Sequence, residues 1–155
     1  MTTPAGATTF RSTRPGDPDL LADRHAVVDA LYTFQTMLDT KDWAGIRAAM
    51  QEDVQGYGVA GIDEVVTIVR AHLDVCGATQ HLMGNVQVRL DGDRATSRSY
   101  FRAFHVGSGA NTGRTYECLG HYDDAWIRSG DRWSLAGRVI NVRAELGDRA
   151  VIEPR

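Results

Sequence analysis

The sequence has little of what several classes of protein require. Its 155 residues contain two cysteines, too few for the disulfide scaffold of a small secreted domain. No apolar run approaches the ~20 residues that a membrane-spanning helix needs. Basic residues do not outnumber acidic ones, with 17 Lys and Arg against 20 Asp and Glu, so nothing favours nucleic acid or an anionic membrane. We therefore expect a cytoplasmic protein with neither kind of partner.

Cofactor and metal motifs are also missing. The segment GSGANTG (107–113) resembles a phosphate-binding loop, but no helix pattern follows it, so it is predicted to be a hairpin loop. His72 and His81 lack the spacing of metal ligands. Cys118 has no base beside it and is interpreted as a packing residue. The sequence therefore predicts no metal and no cofactor.

The first half of the chain is predicted to be helical. Apolar residues recur at helical spacing over residues 18–39 and again after Asp42, which is a good N-cap. A third stripe covers residues 62–76, with Gly77 expected to end that helix. Between the last two helices, VQGYGV (54–59) predicts a short strand.

After the third helix the apolar period changes to two. Four strands are predicted, joined by short Gly- and Asp-rich turns, in the segments QHLMGNVQVRL, RATSRSYFRAFHV, RTYECLGHYDDAWI and RWSLAGRVINVRAEL. Short links favour an antiparallel meander. We therefore predict an α+β fold of one domain, residues 17–146, with three N-terminal helices packed in the concave face of a curved, mostly antiparallel sheet. A disordered tail (1–16) and a C-terminal tail (147–155) are expected to flank it.

A pocket is expected between the first helix and the concave face of the sheet. Strand alternation places His81 on one face with Thr79 and Met83, and it directs Phe101 and His105 inward from the next strand. On the third meander strand, the alternation leaves open whether Tyr116 faces inward.

Three further positions are candidates with open alternatives. Tyr32 and Asp39 are two turns apart and share a helix face, although Asp39 near a helix end could equally lie in solvent. Tyr57 lies between two glycines, which indicates a bulge, a close approach or an ordinary aromatic. Arg138 and Asn141 lie on opposite faces of the last strand, so we expect one of them to point inward.

Three segments carry a resemblance: FQTMLDTKDWAGIRAAMQEDV, ATQHLMGNVQVRLDGDRATSRSY and GHYDDAWIRSGDRWSLAGRVI. They are similar to the SnoaL-like branch of the nuclear transport factor 2-like superfamily, most of all to enzymes like scytalone dehydratase and bile-acid dehydratase. The resemblance covers residues 20–142. It implies a cystatin-like α+β cone and a homo-oligomer, dimer or trimer, formed through the open face of the sheet.

The resemblance also implies residue roles. Asp39 and His81 match an acid–base dyad, Tyr57 matches a catalytic tyrosine and His105 a second pocket histidine. Arg138 matches a basic residue of the last strand. The substrate-binding residues are expected to be Tyr32, Met83, Phe101, Tyr116, Arg138 and Asn141. The tyrosines that relatives carry on the first helix are replaced here by Phe34 and Leu38.

These residues favour a cofactor-independent lyase of the dehydratase type. A histidine oriented by a carboxylate is a suitable base at neutral pH for a C–H beside a carbonyl. The expected substrate is a small hydrophobic carbonyl or phenolic compound. The same dyad could serve an isomerase or a polyketide or aldol cyclase. A non-catalytic ligand-binding or scaffold protein of this fold is a further alternative, which an intact dyad would argue against.

Overall fold

A computed structural model describes residues 18–154; the expected tail 1–16 lies outside the described residues. The helices are α1 (Pro18–Thr40), α2 (Trp43–Ala48) and α3 (Ile62–Leu73). The strands are β1 (Met50–Gly56), β2 (Val59–Ala60), β3 (Cys76–Asp91), β4 (Arg94–Gly107), β5 (Thr115–Ser129) and β6 (Arg132–Gly147). Two short 3-10 helices follow β4 and β6, at Gly109–Asn111 and Arg149–Val151.

The long helix α1 forms the centre of the domain. Its apolar side chains recur every three or four residues, so they share one face, and that face is buried under the sheet. The buried side chains of this face are Val27, Leu31, Phe34 and Leu38. They pack in one core with side chains of α2, α3 and the strands. The predicted first helix is confirmed, and its C-terminal turn brings Asp39 to the sheet.

The two shorter helices begin and end for different reasons. The side chain of Asp42 accepts a hydrogen bond from the Gly45 N–H at 2.9 Å and caps α2, as predicted. The third helix ends at Leu73, and the prediction that it runs to residue 76 is wrong. Cys76 opens β3 instead and lies opposite Gly107 of β4, so strand pairing overrides the helical apolar pattern there.

The six strands form one mixed sheet in the order β2-β1-β6-β5-β4-β3. From β3 to β6 the strands form the predicted antiparallel meander. The strand β1 lies parallel to β6 at the side of the meander. Tyr57 and Gly58 make a two-residue turn between β1 and β2, both with positive φ, of 55° and 81°. The α+β fold with three helices on a curved sheet is therefore confirmed.

The two faces of the sheet differ in character. The concave face packs on the helices, and the inward direction predicted for Phe101 and His105 is confirmed by their burial. On the outer face, several large apolar side chains are exposed: Leu82, Tyr100, Phe104 and Leu146. The resemblance predicts contacts between copies on the open face of the sheet, and this stays a prediction.

The segment after β6 belongs to the folded domain. Val151 is completely buried and packs in a small cluster with Cys76 and Tyr116. The expectation that residues 147–155 form a tail outside the domain is therefore wrong for the part up to Ile152. The prediction rested on the polar residues of this segment. It did not consider its two apolar side chains, Val151 and Ile152, which pack in the cluster.

No helix within residues 18–154 is both long enough and apolar enough to cross a membrane.

A histidine–aspartate pair in a small cavity

A cavity of about 160 Å³ lies between the end of α1, α3 and the concave face of the sheet. Most of its lining is apolar, and its polar groups are three histidines, three tyrosines and a cysteine. The lining residues are Leu38, Tyr57, Val69, His72, Leu73, His81, Phe101, Ala103, His105, Tyr116, Cys118, Tyr122, Ile140 and Ile152. A cavity of this size holds a ligand about as large as benzene.

Asp39 lies in the last turn of α1, where the helix dipole disfavours a carboxylate. Three donors from β3 offset that effect. The His81 ring Nδ1 lies 2.7 Å from Oδ1, the His81 backbone N–H donates to Oδ2 at 2.9 Å, and the Thr79 hydroxyl donates to Oδ1 at 3.0 Å. The alternative in which Asp39 lies in solvent is thus not what the structure shows.

These hydrogen bonds set the protonation states of the pair. Burial raises the pKa of Asp39, but the hydrogen bonds from His81 and Thr79 outweigh burial and hold that pKa below its usual value. An ionised carboxylate only accepts hydrogen bonds, so Nδ1 of His81 carries the hydrogen. In the neutral ring Nε2 then keeps its lone pair. The His81 side chain is 7% exposed and lines the cavity, while that of Asp39 is 21% exposed.

His105 is the second histidine of the cavity, and its ring meets that of His81 edge-on at 5.7 Å. Its Nδ1 lies 3.4 Å from the Tyr116 carbonyl oxygen, which can only accept. Burial and, second, the charge of a protonated His81 lower the pKa of His105 to about 4. His105 is therefore neutral at neutral pH, and the catalytic role that the resemblance implies for it stays a prediction.

Tyr57 reaches the cavity from the turn between β1 and β2, and Arg138 lies behind it. Nη1 of Arg138 donates to the Tyr57 hydroxyl oxygen at 3.3 Å, which leaves the Tyr57 O–H to donate elsewhere. Nε and Nη2 of Arg138 donate to Asp124 at 2.8 and 2.9 Å, and neither side chain of this pair is exposed. With its amide oxygen turned toward the guanidinium, Gln35 accepts from Arg138 at 3.1 Å.

Arg138 stays charged in this surrounding. Burial alone would lower its pKa, but the carboxylate of Asp124 outweighs burial and raises that pKa above its ordinary value. The guanidinium also stacks between two aromatic rings, with its central carbon 4.1 Å from the Tyr122 ring centre and 5.0 Å from that of Phe34. The sequence predicts that either Arg138 or Asn141 points inward from the last strand, and in the structure it is Arg138.

Two predicted substrate-binding residues, Phe101 and Tyr116, line the cavity. Phe101 stacks on Tyr122 with ring centres 4.2 Å apart, so the two form one apolar wall. The Tyr116 hydroxyl donates to the Glu145 carboxylate, and burial together with this hydrogen bond raises its pKa. Tyr116 therefore contributes its ring, and its hydroxyl proton is already used.

Other predicted binding residues lie elsewhere. Tyr32 is 45% exposed and lies two turns, about 10 Å, from Asp39 along α1, so sharing a helix face did not bring it to the cavity. Asn141 faces away from the cavity and donates to Asp123 at 3.2 Å. Met83 packs beside Phe101 but does not line the cavity. Because their side chains lie away from the cavity, the substrate-binding predictions for Tyr32 and Asn141 are wrong.

Sequence reasoning gave no functional role to several residues around the site. Thr79 shares a strand face with His81, so alternation could have assigned it a contact with Asp39. His72 was weighed only as a metal ligand, although it lines the cavity. Asp124 gave no signal, because the inward face of β5 was undecided. Within residues 18–154 no group of three His, Cys, Asp or Glu side chains is arranged to hold a metal ion.

A larger open cleft of about 860 Å³ adjoins the cavity, lined by β1, β2, α3 and part of β6. Four residues line both spaces and form the boundary between them: Tyr57, Val69, His72 and Ile140. The cleft and the cavity are therefore adjacent spaces.

Comparisons with known proteins agree with this architecture. The model of the SnoaL-like domain family matches residues 19–139. A candidate scytalone dehydratase from Novosphingobium aromaticivorans is 17% identical, with a TM-score of 0.78 over 84% of this chain and 90% of that one. A candidate aromatic ring hydroxylase from the same organism is 20% identical, with a TM-score of 0.77 over 86% of this chain and 98% of that one.

A hexachlorocyclohexane dehydrochlorinase from Novosphingobium barchaimii is also similar. It is 13% identical, with a TM-score of 0.73 over 90% of this chain and 99% of that one. At these identities the likeness is one of fold. None of the curated proteins matches the chain. Because the family model spans most of the sequence, the chain belongs to the SnoaL-like domain family of the nuclear transport factor 2-like superfamily.

Proposed function

We propose that this protein is a cofactor-independent acid–base enzyme of the dehydratase type. It acts on a small hydrophobic carbonyl or phenolic compound that carries a C–H next to the carbonyl group and a hydroxyl one carbon further. Neighbours of the same fold include a candidate scytalone dehydratase and a dehydrochlorinase, both names for elimination chemistry.

One observation carries the proposal. Nδ1 of His81 lies 2.7 Å from the Asp39 carboxylate, and the same ring lines a cavity of ligand size. A carboxylate on one nitrogen fixes the tautomer and stabilises the imidazolium that forms when the other nitrogen takes a proton.

The proton transfer follows from these positions. Nε2 of His81 removes the proton next to the substrate carbonyl, and the electron pair of that C–H bond forms the enolate. The enolate collapses to a C=C bond as the C–O bond to the neighbouring hydroxyl breaks. The imidazolium of His81 gives its proton to the departing hydroxide, which leaves as water. His81 is thereby returned to its neutral form, and Asp39 stays ionised throughout.

The carbonyl oxygen needs a donor while negative charge develops on it. The Tyr57 hydroxyl supplies that donor in the proposal, because its oxygen already accepts from Arg138 and its hydrogen is left over. The fixed charge of Arg138 behind the hydroxyl favours the developing anion. Arg138 is a positioning residue in this scheme, since its polar atoms bind Asp124, Gln35 and Tyr57.

The test uses a simple model substrate, 3-hydroxycyclohexanone, whose ring matches the size of the cavity. We expect the protein to exchange the protons next to the carbonyl with solvent deuterium, followed by NMR, and to form the enone, followed by ultraviolet absorption. His81→Gln should lower both rates by about 10²–10⁴. His25→Gln is the matched control, because His25 is an exposed histidine of α1.

The outcomes separate the possibilities. Exchange with enone formation supports the dehydratase. Exchange without enone points to the isomerase or cyclase use of the same dyad. Exchange no faster than in buffer, or equal in wild type and His81→Gln, overturns the acid–base role and favours a ligand-binding protein.

A further inference from the structure

We infer that His72 is a substrate-binding residue that selects ligands with a hydroxyl or N–H group outside the inner cavity. The inference rests on the proposed function for the position of the reacting ring. It adds a recognition site at the boundary between the cavity and the cleft, and it divides the ligand into two parts.

The orientation of His72 decides what it can bind. Its Nδ1 lies 2.8 Å from the carbonyl oxygen of Ile68, one turn earlier in α3. A carbonyl oxygen only accepts, so Nδ1 carries the hydrogen, and Nε2 of the neutral ring is an acceptor. The ring is half-buried and lines both spaces. A ligand that passes this boundary therefore meets a nitrogen that accepts a hydrogen bond.

The sizes of the two spaces show why a ligand larger than the inner cavity extends past His72. The inner cavity, at about 160 Å³, has room for about one six-membered ring. The cleft outside it is about 860 Å³. A larger ligand with its reacting ring beside His81 must therefore cross the boundary formed by Tyr57, Val69, His72 and Ile140.

The other polar groups of the boundary leave this role to His72. The Tyr57 hydroxyl oxygen already accepts from Arg138, and the proposed function uses its hydrogen for the carbonyl. Val69 and Ile140 offer no polar side-chain atom. A hydroxyl or N–H on the outer part of the ligand therefore has one side-chain acceptor within the boundary, Nε2 of His72. The ligand class is a ring carbonyl compound whose extension, two or three atoms long, ends in a hydrogen-bond donor.

The experiment compares two ring ketones of equal size. They are 4-(2-hydroxyethyl)cyclohexanone and 4-propylcyclohexanone, which differ in a hydroxyl against a methyl group at the end of the extension. Each dissociation constant is corrected for the water–octanol partition coefficient of its probe. After this correction, we expect wild type to bind the hydroxyl compound about five- to tenfold more tightly, which is the effect of one neutral hydrogen bond. His72→Leu should lose this preference, while His25→Leu should keep it.

Two further readouts keep the test sharp. Deuterium exchange next to the ring carbonyl should keep its wild-type rate in His25→Leu, because that variant leaves both the dyad and His72 in place. In wild type with ¹⁵N-labelled histidine, the Nε2 resonance of His72 should move on binding the hydroxyl probe and stay in place with the propyl probe, which requires no variant.

The inference is overturned if wild type shows no preference for the hydroxyl probe or if His72→Leu keeps that preference. It is also overturned if the Nε2 resonance of His72 does not move when the hydroxyl probe binds. A failure of the proposed function gives a different result: no deuterium exchange in wild type with either probe, whatever the preference between them.

Discussion

Within residues 18–154, two carboxylates that pair with a basic side chain, Asp39 and Asp124, have opposite characters. Asp39 and His81 are joined at 2.7 Å, with side chains 21% and 7% exposed. Asp124 and Arg138 are joined at 2.8 Å and 2.9 Å, with no exposure at all. Similar distances therefore do not imply similar roles.

The difference lies in the proton and in access. Histidine changes charge near neutral pH, so a His–Asp pair can take up and release a proton. Arginine stays charged, and the side chains of the Asp124–Arg138 pair have no exposed surface. The first pair borders a cavity, and in the proposed function it acts on the ligand there. The second fixes β5 to β6 and holds Tyr57 from behind. Each of the following predictions separates the two pairs further.

The largest effect is expected from Asp124→Asn. This change leaves the Arg138 charge buried without its carboxylate, and breaking a buried pair from one side costs about 3–5 kcal/mol in the free energy of unfolding. Urea denaturation measures it. The double variant Asp124→Leu with Arg138→Met removes both charges and should be clearly more stable than the single variant. Equal stability of the single and double variants would contradict the pairing.

Asp39→Asn should act on the rate instead. The amide can present an N–H to Nδ1 of His81, which reverses the tautomer and places the hydrogen on Nε2, where the base is needed. We expect deuterium exchange of the model ketone to fall by at least ~10²-fold. The free energy of unfolding should fall far less than in Asp124→Asn. A stability loss as large as in that variant would show that Asp39 is structural.

The pH dependence of stability should report on His105. Its pKa is lowered from 6.5 to about 4, so the unfolded chain takes up a proton first as the pH falls. Stability is therefore lost between about pH 6.5 and pH 4. Between pH 7 and pH 5, wild type should lose roughly 2 kcal/mol more than His105→Phe, which has no such group. The lowered pKa of Asp39 contributes only near and below 3.8, outside this window.

Chemical denaturation at the two pH values measures the difference. If wild type and His105→Phe lose the same free energy of unfolding between pH 7 and pH 5, His105 takes up its proton in the folded state over that range.

The smallest effect is expected from Thr79→Val. The isosteric change removes one of three donors to Asp39 and should cost about 1 kcal/mol. It should raise the pKa of Asp39, so that the acidic limb of the pH–rate profile moves to higher pH. The rate at neutral pH should fall by less than about tenfold. An unchanged acidic limb would mean that the Thr79 hydroxyl does not bind the carboxylate in solution.

The meander could be predicted because its signal is local, whereas the Asp39–His81 dyad was implied by the family resemblance. Strand alternation fixes the face of His81, and the helical pattern ends close to Asp39, but neither signal shows that the two side chains meet. The parallel placement of β1 beside β6 could not be predicted, because no residue in either segment encodes which edge a short strand joins. Asp124 and Arg138 lie directly opposite each other in β5 and β6, and their pair could not be predicted because the inward face of β5 was undecided.

The errors have the same origin. Tyr32 was assigned to the pocket from its helix angle, but this angle says nothing about position along the axis. Of the α1 residues, only Leu38 in the C-terminal part of the helix lines the cavity. Asn141 was retained because one of two opposite residues had to point inward. The structure buries Arg138 and leaves Asn141 half-buried, and burial is a property of the assembled sheet.

The turn that carries Tyr57 has a consequence for how such proteins diversify. Two residues with left-handed backbone angles close the hairpin, and they lie apart from the helix end and the strand that hold the dyad. Exchange of this short hairpin would remove the Tyr57 hydroxyl, the proposed donor to the substrate carbonyl, and would reshape the boundary between the cavity and the cleft. The Asp39–His81 pair, held by α1 and β3, would keep its geometry.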